Sequence, residues 1–278
     1  MIVTVASGKG GTGKTSVAVS MALSIGDCQV LDCDVEEPNA HLLLHPTISR
    51  SQPVYASNVK IDKTLCRQCG LCAKFCRYNA LFCSFKGVLV FPELCHGCGG
   101  CITVCPEKAI SEQNYKVGTL NFAQAGNIEL IYGELEVGKP MAGPVIKAVK
   151  KQAAKNQTVI VDSPPGASCS FVETVRNTDY CIIVTEPTPF GLHDLKITVE
   201  VLKKMGIPFG VVINRAGIGD RAVYDYCKQD NIPILLEIPY ERKIAELYSK
   251  GIAFSVEMPQ WKTNFQNLFT QLRRLTNK

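Results

Sequence analysis

Short runs of consecutive apolar residues alternate along the chain with stretches in which apolar residues recur at helical spacing. The first run, Ile2–Ala6, precedes the helical pattern of Ser16–Ile25, and a second strand is predicted over Gln29–Asp34. The later predicted strands share this apolar character and are Thr158–Asp162, Tyr180–Val184, Phe209–Ile213 and Ile234–Ile238. Apolar strands separated by helices are typical of a parallel sheet covered on both faces, so the pattern predicts an α/β fold.

The alternation stops between residues 57 and 117, where cysteines set the pattern instead. Two runs share the spacing C-x2-C-x2-C-x3-C, and they comprise Cys66, Cys69, Cys72 and Cys76, then Cys95, Cys98, Cys101 and Cys105. Each cysteine of the first run has a counterpart 29 positions later, which indicates an internal duplication. We predict a small inserted α+β domain over residues 57–117 and a discontinuous α/β domain formed by residues 1–56 and 118–278.

The cysteine spacing predicts iron–sulfur ligation, because its period is that of a bacterial two-cluster ferredoxin. In this motif the fourth cysteine of each run binds the cluster of the other run. Two [4Fe-4S] clusters are therefore predicted, the first bound by Cys66, Cys69, Cys72 and Cys105 and the second by Cys95, Cys98, Cys101 and Cys76. Zinc is the alternative, although zinc sites rarely use three cysteines spaced two apart in one run.

Composition and charge narrow the class of protein. The 278 residues include 14 cysteines and carry a formal net charge of +5. Eight Lys/Arg and four Asp/Glu lie between residues 57 and 117, so this segment carries most of the positive charge and suggests a partner with an acidic face. The balance does not indicate nucleic acid. No run approaches the roughly 18 apolar residues of a membrane span, and the chain enters its first strand at once, so we expect a cytoplasmic protein.

A glycine-rich loop joins the first predicted strand to the first helix. From Ser7 to Thr15 it reads S-G-K-G-G-T-G-K-T, and in this setting G-x-x-x-x-G-K-[ST] indicates a phosphate-binding loop. Lys14 is predicted to contact the terminal phosphates, and the Thr15 hydroxyl to bind Mg²⁺. The residues expected to contact the nucleotide are Gly8, Lys9, Gly10, Gly11, Thr12, Gly13, Lys14, Thr15 and Ser16.

The same glycines allow a second interpretation. Gly8, Gly10 and Gly13, with Asp32 nineteen residues after Gly13, come close to the dinucleotide-binding fingerprint. A dinucleotide site has no need of Lys14, however, and Asp162 ends a later apolar strand, as an acid on the Mg²⁺ side should. These two features favour a nucleoside triphosphate.

Lys9 is a second lysine, placed early in the loop. With Gly10 and Gly11 it makes the sequence resemble the MinD/ParA/nitrogenase-iron-protein class of P-loop ATPases, whose loop reads K-G-G-x-G-K-[ST]. The resemblance implies ATP-driven homodimerisation, in which the early lysine completes the nucleotide site of the partner. It also implies that Lys9 and Lys14 are catalytic residues.

Further site residues are implied by the same resemblance. Asp34 would position the attacking water, although Asp32 and Asp34 could instead cap the predicted helix Ala40–Leu44. Asp162 would act on the Mg²⁺ side through water. Three more residues complete the nucleotide site. Gly166 would be the hinge of the second switch, and Asn214 and Pro239 would lie beside the base. A plain turn is the alternative for Asn214.

The whole chain resembles one branch of that class, the ATPases of the MinD superfamily with an inserted ferredoxin domain. The resemblance extends to Asp162–Cys169 and Glu186–Asp194. It leads to the hypothesis of an ATP-gated electron carrier for a partner protein. The alternatives are a cluster carrier or assembly ATPase and a positioning ATPase with a redox sensor. A cluster bridging two subunits through Cys169 is disfavoured. The apolar stripe of Trp261–Leu275 predicts a final helix packed on the domain, with membrane contact as the minor alternative.

Overall fold

The computed structural model describes residues 1–276, and these residues contain eleven strands. In chain order the strands are β1 (Ile2–Ala6), β2 (Cys28–Asp32), β3 (Thr47–Ile61), β4 (Leu81–Ser84), β5 (Gly87–Val90), β6 (Ile110–Ala125), β7 (Ile128–Leu135), β8 (Val159–Asp162), β9 (Tyr180–Thr185), β10 (Phe209–Ala216) and β11 (Ile234–Pro239). The six strands predicted from the apolar runs are all present, which confirms the α/β class. The second strand ends at Asp32 rather than at Asp34.

One large sheet carries nine of the eleven strands of residues 1–276, in the order β11-β10-β9-β1-β8-β2-β7-β6-β3. The strands from β11 to β7 run parallel, whereas β6 is antiparallel to both β7 and β3. The sheet is thus mostly parallel with an antiparallel edge, a feature that the apolar runs did not predict. Because β1 lies in the middle, its carboxyl end carries the glycine-rich loop to the centre of the sheet edge.

Helices cover both faces of this sheet. They are α1 (Lys14–Ile25), α2 (Ala40–Leu44), α5 (Gly143–Lys150), α6 (Cys169–Val175), α7 (Pro189–Met205), α8 (Ala222–Gln229), α9 (Arg242–Ser249), α10 (Phe254–Glu257) and α11 (Pro259–Thr276), whereas α3 (Leu71–Phe75) and α4 (Gly100–Thr103) lie in the cysteine-rich segment. Val3 and Val5 of β1 point into a core shared with α1, α10 and α11. Ala6 points to the opposite face, into a core shared with α6, α7 and α8. This alternation along one strand is what a sheet buried on both faces requires.

The cysteine-rich segment is connected to the sheet by two long strands, which extend beyond the sheet and lead into it. β3 pairs with β6 from Thr47 opposite Gln124 to Ile61 opposite Ile110. The predicted domain boundaries at residues 57 and 117 therefore fall inside a continuous two-stranded ribbon and not at linkers. Between the ribbon ends, residues 62–109 contain α3, α4 and the hairpin β4–β5, and they surround a small separate core. We call residues 62–109 the cysteine lobe.

The last helix packs on the domain, as predicted. The side chains of Trp261, Phe265, Leu268 and Leu272 in α11 are buried in the core that also contains α1. Among residues 1–276, no helix is both long enough and apolar enough to cross a membrane.

Candidate functional site

The glycine-rich loop curls between β1 and α1 because two of its glycines adopt left-handed backbone angles. Gly11 has a φ of 77° and Gly13 a φ of 89°, a region that disfavours other residues. A Cβ on Gly13 would also lie only 2.4 Å from Nδ2 of Asn214. That amide donates a hydrogen bond to the Thr12 carbonyl oxygen over 2.7 Å. Asn214 therefore fixes the loop from the end of β10, which a plain turn at this position would not do.

Lys14, the first residue of α1, lies among carboxylates from two neighbouring strands. Its Nζ is 2.9 Å from Oδ1 of Asp162 and 3.2 Å from Oδ2 of Asp34. Burial lowers the pKa of Lys14, but the charges of Asp162, Asp34 and Asp32 outweigh burial and raise the pKa above its usual value. Burial raises the pKa of Asp34, while Lys14 opposes that rise. The lysine is thus held charged beside two acids.

Thr15 and Asp162 meet directly. The Thr15 hydroxyl donates a hydrogen bond of 2.6 Å to Oδ2 of Asp162, whose side chain is fully buried at the end of β8. A hydroxyl and a carboxylate side by side supply the hard oxygen ligands that Mg²⁺ prefers. The structure therefore brings together the two residues predicted to act on the metal.

Asp32 has a structural task that the sequence left open. Its Oδ2 accepts hydrogen bonds from the backbone N–H groups of Asn39 and Ala40, each over 3.1 Å, at the start of α2. Its Oδ1 accepts a third from the N–H of Asp34 over 3.0 Å. Burial, followed by the nearby charge of Asp162, raises the pKa of Asp32 to about 7, against the effects of Lys14 and the amides. The capping alternative is thus correct for Asp32, whereas Asp34 contacts Lys14.

Lys9 lies on a buried acid that the sequence analysis did not single out as a site residue. Its Nζ is 3.0 Å from Oε2 of Glu186, which follows β9 and is almost completely buried. Nη1 of Arg215 lies 2.7 Å from Oε1 of the same carboxylate, a close ion contact whose geometry is not that of an aligned hydrogen bond. The early lysine and the residue after Asn214 therefore share one counter-ion.

A cleft of about 1110 Å³ opens along the loop. Its walls include Gly10, Gly11, Thr12, Gly13, Lys14, Thr15, Ser16, Asp34, Asn214 and Pro239 among the predicted residues. Sequence reasoning missed Tyr240, Ile244 and Tyr248, which line the far end beyond β11. Pro239, which was predicted to lie beside the base, could have indicated this end of the cleft, because Tyr240 directly follows it. The cleft combines a polar, glycine-rich end with an aromatic and apolar end, as a nucleotide requires.

Two further predicted residues border the loop. A Cβ on Gly8 would lie 2.6 Å from the backbone oxygen of Asp194, so α7 packs directly against the loop at this glycine. Gly166 has a φ of 87°, and its N–H donates to the Ser7 carbonyl oxygen over 2.9 Å. The segment after β8 is thereby attached to the start of the glycine-rich loop.

The duplication in the cysteine lobe is present in the backbone as well as in the sequence. Left-handed φ values recur 29 positions apart, at Gln68 and Gly97, Gly70 and Gly99, and Asn79 and Lys108. The two copies also cross-connect, because the N–H of Phe91 donates to the Ala80 carbonyl and that of Asp62 to the Ala109 carbonyl, both over 2.8 Å. These pairs are again 29 positions apart. The lobe is therefore built from two equivalent halves.

The eight predicted cysteine ligands are free thiols, and three of the four pairs match in burial, the exception being Cys66, which is intermediate, and Cys95, which is buried. Cys72 and Cys101 are buried, Cys69 and Cys98 are exposed, and Cys76 and Cys105 are intermediate. Burial raises the pKa of both the Cys72 and the Cys101 thiol. One cavity is lined by the predicted first set, and its cysteines are Cys66, Cys69, Cys72 and Cys105. The structure thus brings the fourth cysteine of the second run to the first run.

The same cysteines are not arranged for a single ion. Within residues 1–276, no three His, Cys, Asp or Glu side chains are close enough to hold one metal ion. A zinc ion would draw four thiolates to about 2.3 Å from one point.

The remaining cysteines and histidines add little chemistry. Cys28, Cys33, Cys181 and Cys227 are buried, whereas Cys169 is exposed at the start of α6. His96 stacks on Tyr78, with ring centroids 3.8 Å apart.

The loop, the acids and the mostly parallel sheet define a P-loop nucleotide-binding protein. The family profile described as the CobQ/CobB/MinD/ParA nucleotide binding domain matches residues 3–254. The chain belongs to this family, and it is an ATP-binding P-loop ATPase of the MinD/ParA type.

Relatives and solved structures resemble the chain over different shares of its length. Two uncharacterized proteins of Methanocaldococcus jannaschii are each 31% identical, the first over 91% of both chains and the second over 86% of both. The cytosolic Fe-S cluster assembly factor Nubp2 homolog of Anopheles gambiae is 30% identical over 38% of this chain and 48% of its own length. The cell division ATPase MinD of Pyrococcus furiosus has a TM-score of 0.57 and 20% identity, covering 99% of this chain and 98% of that chain. Its likeness concerns the fold.

Proposed function

We propose that the protein couples ATP-dependent homodimerisation to electron transfer through two [4Fe-4S] clusters held by the cysteine lobe. The observation that carries the proposal is the ribbon of β3 and β6. These strands belong to the same sheet as the nucleotide site and extend into the lobe, with register shifts between Ile48 and Arg50 and between Val54 and Tyr55. Neither part can tilt without bending strands that the other part also uses.

Two observations in the cysteine lobe support two clusters. Cys66, Cys69, Cys72 and Cys105 line one cavity, and left-handed backbone angles of their loop recur 29 positions later in the loop of the second set. The N–H of Ala109 donates to Sγ of Cys105 over 3.3 Å, a contact that stabilises a thiolate. When bound, such clusters supply one-electron transfer at low potential.

The nucleotide site supplies the other half of the proposal. Lys14 would bind the terminal phosphates, Thr15 and Asp162 would hold Mg²⁺, and Asp34 would orient the attacking water. Lys9 would reach the nucleotide of the partner subunit, and to do so it must leave the Glu186 carboxylate that it shares with Arg215. The ion pair between Lys9 and Glu186 would then link hydrolysis to the dimer state.

A route from the nucleotide to the lobe is available in the packing. Gly166 is attached to Ser7 of the glycine-rich loop, and α6 follows it. α6 packs against α5, which also contacts β6 and β7. Movement after nucleotide binding would therefore reach β6, one of the two strands of the ribbon.

Electron delivery under three nucleotide conditions tests the proposal. Anaerobically prepared, reduced protein should transfer electrons to an acceptor faster with ATP than with ADP or a non-hydrolysable analogue. The Lys14→Ala variant, with its clusters intact, serves as the control and should lose the difference. Equal rates under all three conditions would contradict the proposal.

A cluster carrier or assembly ATPase is the second candidate. The similarity to the Nubp2 homolog favours it, as does 26% identity to an iron-sulfur cluster carrier protein of Rickettsia typhi over 51% of this chain. A cluster carrier of this class would use a C-x-x-C ligand pair in the last part of its chain. Residues 228–278 contain no cysteine, which counts against this candidate. Transfer of iron and sulfide from the holoprotein to an apo-ferredoxin would favour this candidate over electron transfer.

A further inference from the structure

Large apolar side chains are exposed in unusual density on the first half of the cysteine lobe. Phe85 is 88% exposed at the tip of the β4–β5 hairpin. Phe82 and Leu89 lie directly opposite each other on the two strands, and each is 55% exposed. Leu71 and Phe75 of α3 are 46% and 49% exposed. We call these five residues the aromatic face.

The second half of the duplication serves as an internal control. Phe82, Phe85 and Leu71 have Ser111, Asn114 and Gly100 as counterparts 29 positions later. Ser111 and Asn114 lie in β6, which pairs with β3, so the direct comparison concerns Leu71 and Gly100, the first residues of α3 and α4. The helix start does not need a large apolar side chain there. Exposed apolar groups that the fold does not need mark a surface covered by something else.

The two halves also differ in charge, and the half with the exposed apolar side chains is the basic one. Residues 62–92 contain five basic side chains and one acidic side chain, whereas residues 93–117 contain two basic and three acidic side chains. The five basic side chains are all exposed, and they are Lys63, Arg67, Lys74, Arg77 and Lys86. The aromatic face thus has a positive rim.

The aromatic face reaches the predicted first cluster. Leu71 lines the same cavity as Cys66, Cys69, Cys72 and Cys105. Cys69 itself is exposed. Cys83, next to Phe82, has its Sγ 3.5 Å from the Gln68 carbonyl oxygen in the same cysteine loop. A partner that covers Leu71 therefore contacts the loop that holds the first set of cysteines, whereas Phe82 and Leu89 lie on the opposite side of the hairpin from Cys83.

We propose that the aromatic face docks a separate electron-transfer protein, whose own docking face has an apolar centre and an acidic rim. This inference rests on the proposed function and names the end of the molecule that the partner approaches. A second copy of this chain is the wrong occupant, because a two-fold contact would set the positive rim against itself. A lipid surface would suit the aromatic and basic side chains but would gain nothing from the cysteines beside them.

A strongly acidic one-electron carrier, flavodoxin, is the probe. The holoprotein is reduced, and its second-order rate constant for flavodoxin is measured at low and high salt, alongside methyl viologen, which needs no docking. Phe85→Ser is expected to lower the flavodoxin rate about tenfold, as for an aromatic anchor at an interface. Lys86→Glu should lower the rate at low salt and weaken its salt dependence. Val137→Ser, which removes an exposed apolar side chain far from the lobe in sequence, is the matched control and should change nothing.

Each outcome has a definite meaning. Iron content and the methyl viologen rate are measured first, and failure there in the wild type counts against the proposed function alone. Binding of flavodoxin, measured by sedimentation without electron transfer, still tests the docking surface in that case. Wild-type rates and binding in both Phe85→Ser and Phe82→Ser would overturn the docking proposal. So would binding to phosphatidylserine vesicles that depends on Phe85, in protein that does not bind flavodoxin.

Discussion

The nucleotide site and the cysteine lobe are built in opposite ways. The nucleotide site collects charged side chains from the ends of β2, β8, β9 and β10 and from the loop and helix after β1. It holds them in ion pairs, and Lys14, Asp162 and Glu186 among them are buried. Lys14 and Asp162 are 148 positions apart in sequence, yet they are in contact. In the cysteine lobe all eight predicted ligands lie between Cys66 and Cys105, and several are exposed. One site is assembled by the whole fold and the other by local spacing.

The difference extends to what stabilises each region. Three large apolar cores support the sheet, whereas the buried cluster of the lobe has seven residues, three of them predicted ligands. A core of that size buries too little apolar surface to stabilise a fold by itself, and small domains of this kind commonly depend on bound metal. We therefore expect the lobe to depend on its clusters and the nucleotide site to depend on its ion pairs.

Replacing Lys14 should give the largest effect. Lys14→Met is expected to lower ATP hydrolysis at least about 100-fold, because one preorganised charge on the phosphates is lost. It should also destabilise the fold by about 3 kcal/mol, because Asp162 loses its buried partner. Phosphate release and chemical unfolding measure the two effects. Lys150→Met, which removes a half-buried lysine outside the cleft, is the control, and equal loss of hydrolysis there would contradict the assignment.

Releasing Lys9 should give a smaller change of opposite sign. Glu186→Gln removes the carboxylate that holds Lys9, so ATP-dependent dimerisation is expected to tighten about tenfold, equivalent to one charge-assisted hydrogen bond. Sedimentation velocity with a non-hydrolysable analogue measures the dimer constant. The control is Glu200→Gln, which breaks an exposed ion pair with Lys204 on α7. Weaker dimerisation in Glu186→Gln would mean that Glu186 orients Lys9 for its task instead of holding it back.

A single cysteine substitution should separate the two regions. Cys72→Ser is expected to reduce the iron content from about eight to about four atoms per chain, since each cluster has its own ligand set. ATP hydrolysis without a redox partner should stay near that of the wild type. Cys83→Ser, in the same lobe but outside both ligand sets, should keep all the iron. Loss of hydrolysis in Cys72→Ser would show that the nucleotide site is not independent of the lobe.

The last prediction concerns the pH dependence of stability. Burial and the charge of Asp162 raise the pKa of Asp32 to about 7, so the folded state binds this proton more tightly than the unfolded state does. The free energy of unfolding should therefore decrease as pH rises from about 4 to about 7. Asp32→Asn should flatten this part of the profile, measured by urea unfolding at several pH values. An unchanged slope would mean that Asp32 stays ionised across the range.

Local spacing in the sequence was sufficient to predict the glycine-rich loop, the six apolar strands and the two cysteine runs. Each of these is a contiguous pattern whose geometry follows from neighbouring residues. Left-handed glycines and i-to-i+3 cysteine spacings involve only a few neighbouring positions, so they can be recognised in the sequence before the fold is known. The repeat of 29 positions predicted from the cysteines recurs in the backbone angles.

Only the tertiary structure decided which distant residues meet. Glu186 and Arg215 around Lys9, Tyr240 at the far end of the cleft, and the antiparallel ribbon of β3 and β6 carry no local signature. Asp32 and Asp34 look interchangeable in sequence, yet one accepts the amides of α2 and the other contacts Lys14, because β2 ends at Asp32 and Asp34 lies in the loop that follows. Partners that are separated by a hundred or more positions are selected by strand order and packing, which the pattern along the chain does not encode.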